Sequence, residues 1–481
     1  MNYKMVFYNL GRVVAVEGAA LLLPLITSLL YSEWTVALAF LATIGIALAI
    51  GVVFSLVFKP KDGTIYSAEG FIIVALAWVA VSLVGALPFV FSGEIPSYVD
   101  ALFESISGFT TTGASILTDV EKMSHGILMW RSFTHWIGGM GVLVLVIAVT
   151  KKASERNIHI MRAEMPGPIV DKITPRSKDT AKYLYLIYVG LSVVQFILLL
   201  CGGMDVFESV IHTFGTAGTG GFSSNNSSIA EYSPYIQWVI AVFMMLFAIN
   251  FNVYFLIIIG KGLTALRSRE LWTYIGVVVA ATGIICANIF SIYGNFGDAL
   301  RHAFFQTTSV MSTTGFSTAT FSEWNEVCKG ILFVLMFIGG CAGSTAGGIK
   351  LTRVILMFKT TRHELKRMLH PRVERSVKFD GKKMEEKTLH GVGVYLALYV
   401  ILLLIVFFLL CFDAGFSFET NFSAAVSCFN NVGPAFDQAF ASYAAYSPFS
   451  KIVLSLAMLL GRLEIYPLIL VFLPSTWSRN H

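Results

Sequence analysis

The sequence is poor in charge and in proline. Asp, Glu, Lys and Arg make up 13% of its 481 residues and proline occurs 13 times, against 56% hydrophobic residues and 39 Phe. A water-soluble chain of this length needs more polar surface to cover itself, so a soluble enzyme is excluded first. Disorder, a collagen-like repeat and a nucleic-acid-binding arm are excluded by the same composition, and a mean hydropathy of +0.73 points to a bilayer. Cysteine is sparse. Cys201, Cys286, Cys328, Cys341, Cys411 and Cys428 show no CxxC or regular spacing, and most lie in apolar runs where Cys acts as a small hydrophobe. Neither a disulfide framework nor a cysteine metal site is expected. Catalytic patterns are missing too: there is no G-x-S-x-G, no paired intramembrane Asp and no Cys/His dyad. His363-Glu364 begins a zincin-like pattern, but Arg367 stands where the second His is needed. Gly343 to Lys350 approaches a phosphate-binding loop and fails at Ile349, which occupies the lysine position.

Long apolar runs are what the chain has in abundance. A spanning helix needs about 20 largely apolar residues. Trp34–Phe58, Gly70–Gly93, Tyr183–Met204, Tyr232–Gly260, Leu271–Gly297 and Thr388–Phe412 qualify without a charge. Val13–Ser32, Ser132–Thr150, Gly330–Ile349 and Ile452–Trp477 complete a set of ten expected spans, interrupted by Glu17 in the first and by Arg462 and Glu464 in the last. The first run is too long for a signal h-region and no A-x-A-like site follows, so it is expected to stay as a helix. The fold class expected is an all-α polytopic membrane protein.

An even number of spans puts both termini on one side, and the basic residues say which. With cytoplasmic termini, all but six of the 34 Lys and Arg fall inside: Lys4, Arg12, Lys59, Lys61, the clusters Lys151–Lys182, Lys261–Arg269 and Lys350–Lys387, and Arg479; the exceptions are Lys122, Arg131, Arg301, Lys329, Lys451 and Arg462. That is the positive-inside asymmetry, with attraction to anionic lipid as a further consequence. The outer loops are acidic by contrast, from Glu94, Asp100, Glu104, Asp119 and Glu121 to Asp413, Glu419 and Asp437. A negative vestibule concentrates cations ahead of a pore.

Four of those outer loops repeat one pattern: a short amphipathic segment, a polar stretch bearing glycine, then the next span. They centre on Thr110-Thr111-Thr112-Gly113, Thr219-Gly220-Gly221-Phe222, Thr313-Thr314-Gly315-Phe316 and Asn430-Asn431-Val432-Gly433. The unit is helix, re-entrant P-loop, helix. Residues 67–155, 180–262, 270–360 and 388–481 hold the four repeats; residues 1–66 form an extra helix pair, and 361–387 a basic cytoplasmic loop. Non-helical backbone at membrane depth is tolerated only when buried in protein or lining water. Four such loops can meet on one pseudo-fourfold axis, where carbonyls just before or at each glycine would replace the hydration shell of a monovalent cation. None is the full TVGYG filter of a potassium channel, so fewer carbonyl sites are expected. In the second repeat, matching to Thr314-Gly315-Phe316-Ser317 makes Gly221 the filter glycine, with Gly220 one register away.

These residues, with Gly220-Gly221-Phe222-Ser223 and Asn431-Val432-Gly433-Pro434, resemble the superfamily of Trk, Ktr and HKT potassium transporters, most closely the TrkH-type membrane subunits of the bacterial Trk system. The resemblance covers essentially the whole chain, the extra helix pair included. It implies potassium as substrate, a bacterial inner-membrane location, a homodimer, and a cytoplasmic ring of TrkA-like regulatory subunits that carry the nucleotide; no covalent cofactor is implied. Glycine at the first filter position, Gly113, goes with potassium in that superfamily, where serine tends to favour sodium. The expected filter and potassium-binding residues are Thr111, Thr112, Gly113, Gly220, Gly221, Thr313, Thr314, Gly315, Asn431, Val432 and Gly433.

Two features suggest a gate. Gly339, Gly340, Gly343, Ser344, Gly347 and Gly348 lie in one apolar run, and glycine costs about 1 kcal/mol relative to Ala in a helix interior, so a broken helix and an intramembrane loop are expected below the filter. Small-residue helix packing is the alternative. Arg462 lies about 16 Å below Lys451 at about 1.5 Å per residue, near the midplane of the core. A charge there is functional by default, and Glu464 is too close in sequence to share its helix face. The resembled superfamily carries an arginine at the corresponding place, thought to act as a barrier to cations. Three functional classes follow: a gated, channel-like potassium uptake protein, a proton- or sodium-coupled symporter, and an intramembrane enzyme or lipid-handling protein, the last disfavoured by the missing nucleophile.

Overall fold

The structure, a computed structural model, describes residues 1–60, 67–141, 177–370 and 376–477. Its described residues are helical apart from connecting loops and one small antiparallel hairpin, Lys378–Phe379 with Lys382–Lys383. Six helices are long and apolar enough to cross a bilayer: Tyr3–Leu30, Trp34–Val57, Glu69–Phe91, Lys182–Cys201, Arg269–Tyr293 and Glu386–Leu410. Polarity is inverted relative to a soluble protein. Trp34, Leu38, Leu41, Val52 and Leu56 stand exposed along one helix, while Thr110, Thr112, Thr219, Thr314, Asn430 and Asn431 are buried. That distribution suits a molecule whose solvent is hydrocarbon, and it is a multi-pass membrane protein.

The N-terminal helix pair packs through small residues. A Cβ on Gly11 would lie 2.5 Å from the Phe54 Cβ, and one on Gly51 would lie 2.7 Å from the Ala15 Cβ. Such close backbone approach is how helices associate where no hydrophobic effect drives them together.

Four further helices are short and buried: Tyr98–Phe109, Val206–Gly218, Phe296–Met311 and Phe418–Phe429. Twelve to sixteen residues reach only about 18 to 24 Å at 1.5 Å each, less than a bilayer core. Each begins at a side-chain cap, from Ser97, Asp205, Asn295 and Ser417, and carries an acidic residue in its first turn, Asp100, Glu208, Asp298 and Glu419. The caps satisfy backbone N–H groups that the helix itself leaves orphaned, and the carboxylates complement the positive end of the helix dipole. The negative ends therefore point at the four glycine-bearing loops.

The helix following each loop is also short: His125–Gly139, Pro234–Phe247, Glu326–Ile338 and Pro448–Arg462. Among the described residues six helices are of spanning length, or seven if one bent pair is counted, where ten spans are expected. One expectation is corrected: the run Tyr232–Gly260 is no single helix, since Pro234–Phe247 and Phe251–Ile258 meet at 89°. The break expected in the third repeat alone has counterparts after Phe247 and after Arg462. The helix Leu351–Leu369 runs straight through position 360, where the sequence placed the end of that repeat. The stretch 142–150, part of an expected span, and most of the basic cluster 151–182 lie outside the described residues.

Candidate functional site: a ring of four glycine loops

Each short buried helix ends the same way. The N–H groups of Thr111, Thr219, Thr313 and Asn431 bond three residues back, to Gly108, Thr216, Val310 and Cys428. Those of Thr112, Gly220, Thr314 and Val432 bond five residues back, to Ser107, Gly215, Ser309 and Ser427, at 2.8 to 2.9 Å. This is the Schellman termination, which requires a left-handed residue after the helix. Glycine usually fills that place; here it is Thr111, Thr219, Thr313 and Asn431, with φ of 55°, 56°, 57° and 56°. Three β-branched residues in that region are a strained choice that surrounding structure must impose.

Two residues further on, every loop has a glycine with positive φ: Gly113 at 79°, Gly221 at 81°, Gly315 at 83° and Gly433 at 101°. The register of the second loop is thereby fixed, with Gly221 the equivalent of the other three. The four loops also close on one another. A Cβ on Gly113 would lie 1.9 Å from the Gly220 carbonyl oxygen, and on Gly221 2.0 Å from that of Thr314. On Gly315 it would lie 2.3 Å from the Val432 oxygen, and on Gly433 2.5 Å from that of Thr112. Loop one touches two, two touches three, three touches four, and four returns to one. No side chain fits at any of the four positions because the carbonyl preceding the next glycine is already there.

Beside the ring is a cavity of about 230 Å³, lined by all four glycines and by Ser115, Asn226, Ser317 and Tyr443. Arg131 also lines it, but its charge is not free. It pairs with Glu104 at 2.7 Å, the two side chains being 2% and 0% exposed. Glu104 further accepts from the Ile116 N–H at 3.0 Å and from the Ser115 hydroxyl, which pins the strand leaving the first loop. Glu104 therefore belongs to the protein interior and not to a solvent-facing acidic rim. Lys122 with Asp119, Arg301 with Asp298, Lys329 with Glu326 and Lys451 with Asp100 form further pairs at 2.6 to 2.8 Å. Thus five of the six cations that broke the charge asymmetry each sit on a carboxylate. In the exit loops Asn226 donates to Asp119 at 3.0 Å, and that bond with the Lys122 pair holds the Asp119 carboxyl below its usual range.

Directly against the ring lies the glycine-rich segment. The helix ends at Ile338 and the next begins at Leu351, with Gly339, Gly343 and Gly348 at positive φ between. The Gly347 N–H donates to the Thr313 hydroxyl at 2.6 Å and the Gly348 N–H to the Asn430 carbonyl at 3.0 Å, so the segment touches the third and fourth loops. Ser344 donates to Cys341, closing a turn. Gly340 packs at the break of the second repeat, where a Cβ would lie 3.1 Å from the Ala248 oxygen. There the Cys341 N–H donates to the Ala248 carbonyl, the Phe251 N–H to that of Gly343, and the Thr345 hydroxyl to that of Phe247. Arg462, the last residue of its helix, donates to the Thr345 carbonyl at 3.0 Å and to the Gly138 and Gly139 carbonyls that end the corresponding helix of the first repeat. The segment and Arg462 thus bring the interrupted ends of all four repeats together.

The TrkH family model, described as a cation transport protein, matches residues 37–479. The chain belongs to the TrkH family. It is 36% identical over 485 residues to the Trk system potassium uptake protein TrkH of Salmonella typhimurium, covering 99% of this chain and 100% of the relative. The corresponding protein of Halomonas elongata is 33% identical over 494 residues, with 100% of each covered. The crystal structure of the potassium transporter TrkH from Vibrio parahaemolyticus superposes with a TM-score of 0.90 at 29% identity, covering 99% of this chain and 100% of that one. The family is one of transporters, not enzymes.

Several residues of this TrkH-family site escaped the sequence reading. Lys350 and Arg353 were counted with the cytoplasmic charges, yet both are buried. The Lys350 ammonium donates to the Ala346 carbonyl, and Arg353 forms a bidentate pair with Glu464. Glu270 accepts from the Ala342 N–H at 2.7 Å and from Thr352, fastening both ends of the segment. A signal existed for two of the breaks: Asn250 is a capping residue inside an apolar run, and Tyr466-Pro467 marks a helix start after Arg462. Replacing one partner of a sealed ion pair leaves an uncompensated charge, a loss of about 3 to 5 kcal/mol. Arg131→Met is therefore expected to lower thermal stability in detergent by that order, and a change under about 1 kcal/mol would mean that water reaches Glu104.

Proposed function

We propose that the chain takes up potassium across the bacterial cytoplasmic membrane by passive flow through the ring, its four loops acting as re-entrant pore loops. The observation that carries this reading is the closed circuit of contacts from Gly113 through Gly221, Gly315 and Gly433 back to Thr112. Uncharged backbone oxygens held in a ring, with four helix C-termini directed at it, suit a weakly hydrated monovalent cation that must bind and leave again. The filter oxygens are assigned to Thr111, Thr112, Gly113, Gly220, Gly221, Thr313, Thr314, Gly315, Asn431, Val432 and Gly433. The names of the potassium uptake relatives supply the ion.

The glycine-rich segment with Arg462 is the gate in this reading. It lies against the ring, is fastened mainly by backbone hydrogen bonds, and joins the helix Leu351–Leu369 that leads to the basic cytoplasmic face. A nucleotide-binding regulatory ring pulling on that helix would displace it. Two copies of the chain would form the working homodimer. Cytoplasmic termini follow from the charge asymmetry.

The competing symport reading rests on one observation. Glu17, buried in the first helix, has no hydrogen-bond partner on either oxygen and lies against Gly85, behind the first pore helix. It stands outside the four loops, whereas Glu104, Glu270 and Glu464 are all paired. Proteoliposomes holding this protein alone, under a clamped potential and no pH gradient, should pass potassium in preference to sodium, and Glu17→Gln should pass it equally well. Flux that appears only with an imposed proton or sodium gradient, or that Glu17→Gln abolishes, would move symport to first place. Arg462→Ala removes charged hydrogen bonds that hold the segment, so potassium flux is expected to rise on the order of tenfold; unchanged or lower flux at normal expression would refute its role in the gate.

A further inference from the structure

At the position before the ring glycine, three loops carry a side chain, Thr112, Thr314 and Val432, and the second carries none, Gly220. The space is not empty. A Cβ on Gly220 would lie 2.3 to 2.5 Å from three ring atoms of His135, which is fully buried on the helix His125–Gly139 of the neighbouring repeat. The imidazole lies flat against the backbone whose carbonyl meets Gly113, the contact between loops one and two. It is also bonded at both ends. Nδ1 lies 2.8 Å from the Gly108 carbonyl at the end of the first pore helix, and Nε2 lies 3.3 Å from the N–H of Phe222, the residue after the ring glycine Gly221. A carbonyl can only accept and a backbone N–H can only donate, so the ring must be neutral with its proton on Nδ1. The Phe222 ring lies 4.2 Å from the imidazole and 4.0 Å from the Arg131 guanidinium.

The other joints of the ring are built differently. At the joint of loops four and one, Asn431 donates to the Thr112 hydroxyl at 2.9 Å, and in the third loop Ser312 and Thr314 share a hydrogen bond at 2.7 Å. Among the described residues, only the second loop borrows its filling group from another repeat.

We propose that His135 is a positioning residue for ion selection: as the Nδ1-protonated neutral tautomer it fixes the Gly220 carbonyl and the Gly221–Phe222 turn against the first pore helix, and so sets the spacing of loops one and two. The proposal rests on the filter reading above. A side chain that can both donate and accept across the same gap should replace it; one that only fills volume should not.

The test measures the potassium-to-sodium flux ratio in proteoliposomes for the native chain, His135→Gln and His135→Leu. Gln can donate to Gly108 and accept from Phe222, so its ratio should stay near the native one. Leu leaves the buried Phe222 N–H unmet and takes from the Gly108 carbonyl the second of its two donors, the first being the Thr111 N–H, and its ratio should fall about tenfold. A Leu variant as selective as the native protein, or a Gln variant that loses as much as Leu, would overturn the proposal. Should Leu fail to fold, imidazole 15N shifts of the native protein, with the His135 signals identified by their loss in His135→Gln, decide it: the Nδ1–H neutral form supports the assignment and the Nε2–H form or an imidazolium refutes it. A native chain that passes both ions alike would instead refute the filter reading, leaving the tautomer result standing by itself.

Discussion

The central constraint is a collision that four glycines avoid. Gly113, Gly221, Gly315 and Gly433 each have the carbonyl of the next loop where a side chain would begin. The backbones can come that close only because the short helices behind them end in identical Schellman turns, which hold the left-handed residue and the following peptide in one orientation four times over. The capped N-termini, the polar interior and the lipid-facing apolar exterior all serve to present those helix ends to a common axis. A ring of this kind has no weak member to spare, since each loop is at once support and neighbour.

A second layer depends on the first. The four helices that leave the ring stop after 13 to 15 residues, and what gathers their ends is a segment of backbone and small side chains together with a few buried charges. Arg462 reaches Thr345, Gly138 and Gly139; Arg353 reaches Glu464; Glu270 reaches Ala342 and Thr352. Charges inside a membrane protein are costly unless satisfied; here Arg462, Lys350 and Glu270 bond carbonyls and an amide freed by the helix breaks, and Arg353 pairs with Glu464. The breaks and the cations explain each other: interrupted helices create acceptors, and the cations consume them.

Much of this was legible in the sequence, for stated physical reasons. Repeated Thr-Gly and Val-Gly loops between apolar runs revealed the repeats, and a glycine-dense run revealed one broken helix, because both signals are local. The register of the second loop, ambiguous between Gly220 and Gly221, needed the dihedral pattern that only three dimensions supply. The breaks after Phe247 and Arg462 were missed because hydropathy is blind to a helix that ends inside an apolar stretch, as one does before Ala248-Ile249-Asn250. Lys350, Arg353 and Glu104 were assigned to loops by charge; the burial of Arg353 and Glu104 goes with partners distant in sequence, Glu464 and Arg131, and that of Lys350 with the Ala346 carbonyl one turn back. His135 gave no signal of its own, since its meaning lies in the side chain that Gly220 lacks.

The most direct test of the ring is to locate the ion itself, by a crystal structure of the protein with rubidium in place of potassium and its anomalous scattering mapped. The account predicts a rubidium peak on the axis, enclosed by backbone oxygens of all four loops at the level of Gly113, Gly221, Gly315 and Gly433. Rubidium bound only elsewhere, with the four loops well ordered and their axis empty, would contradict it.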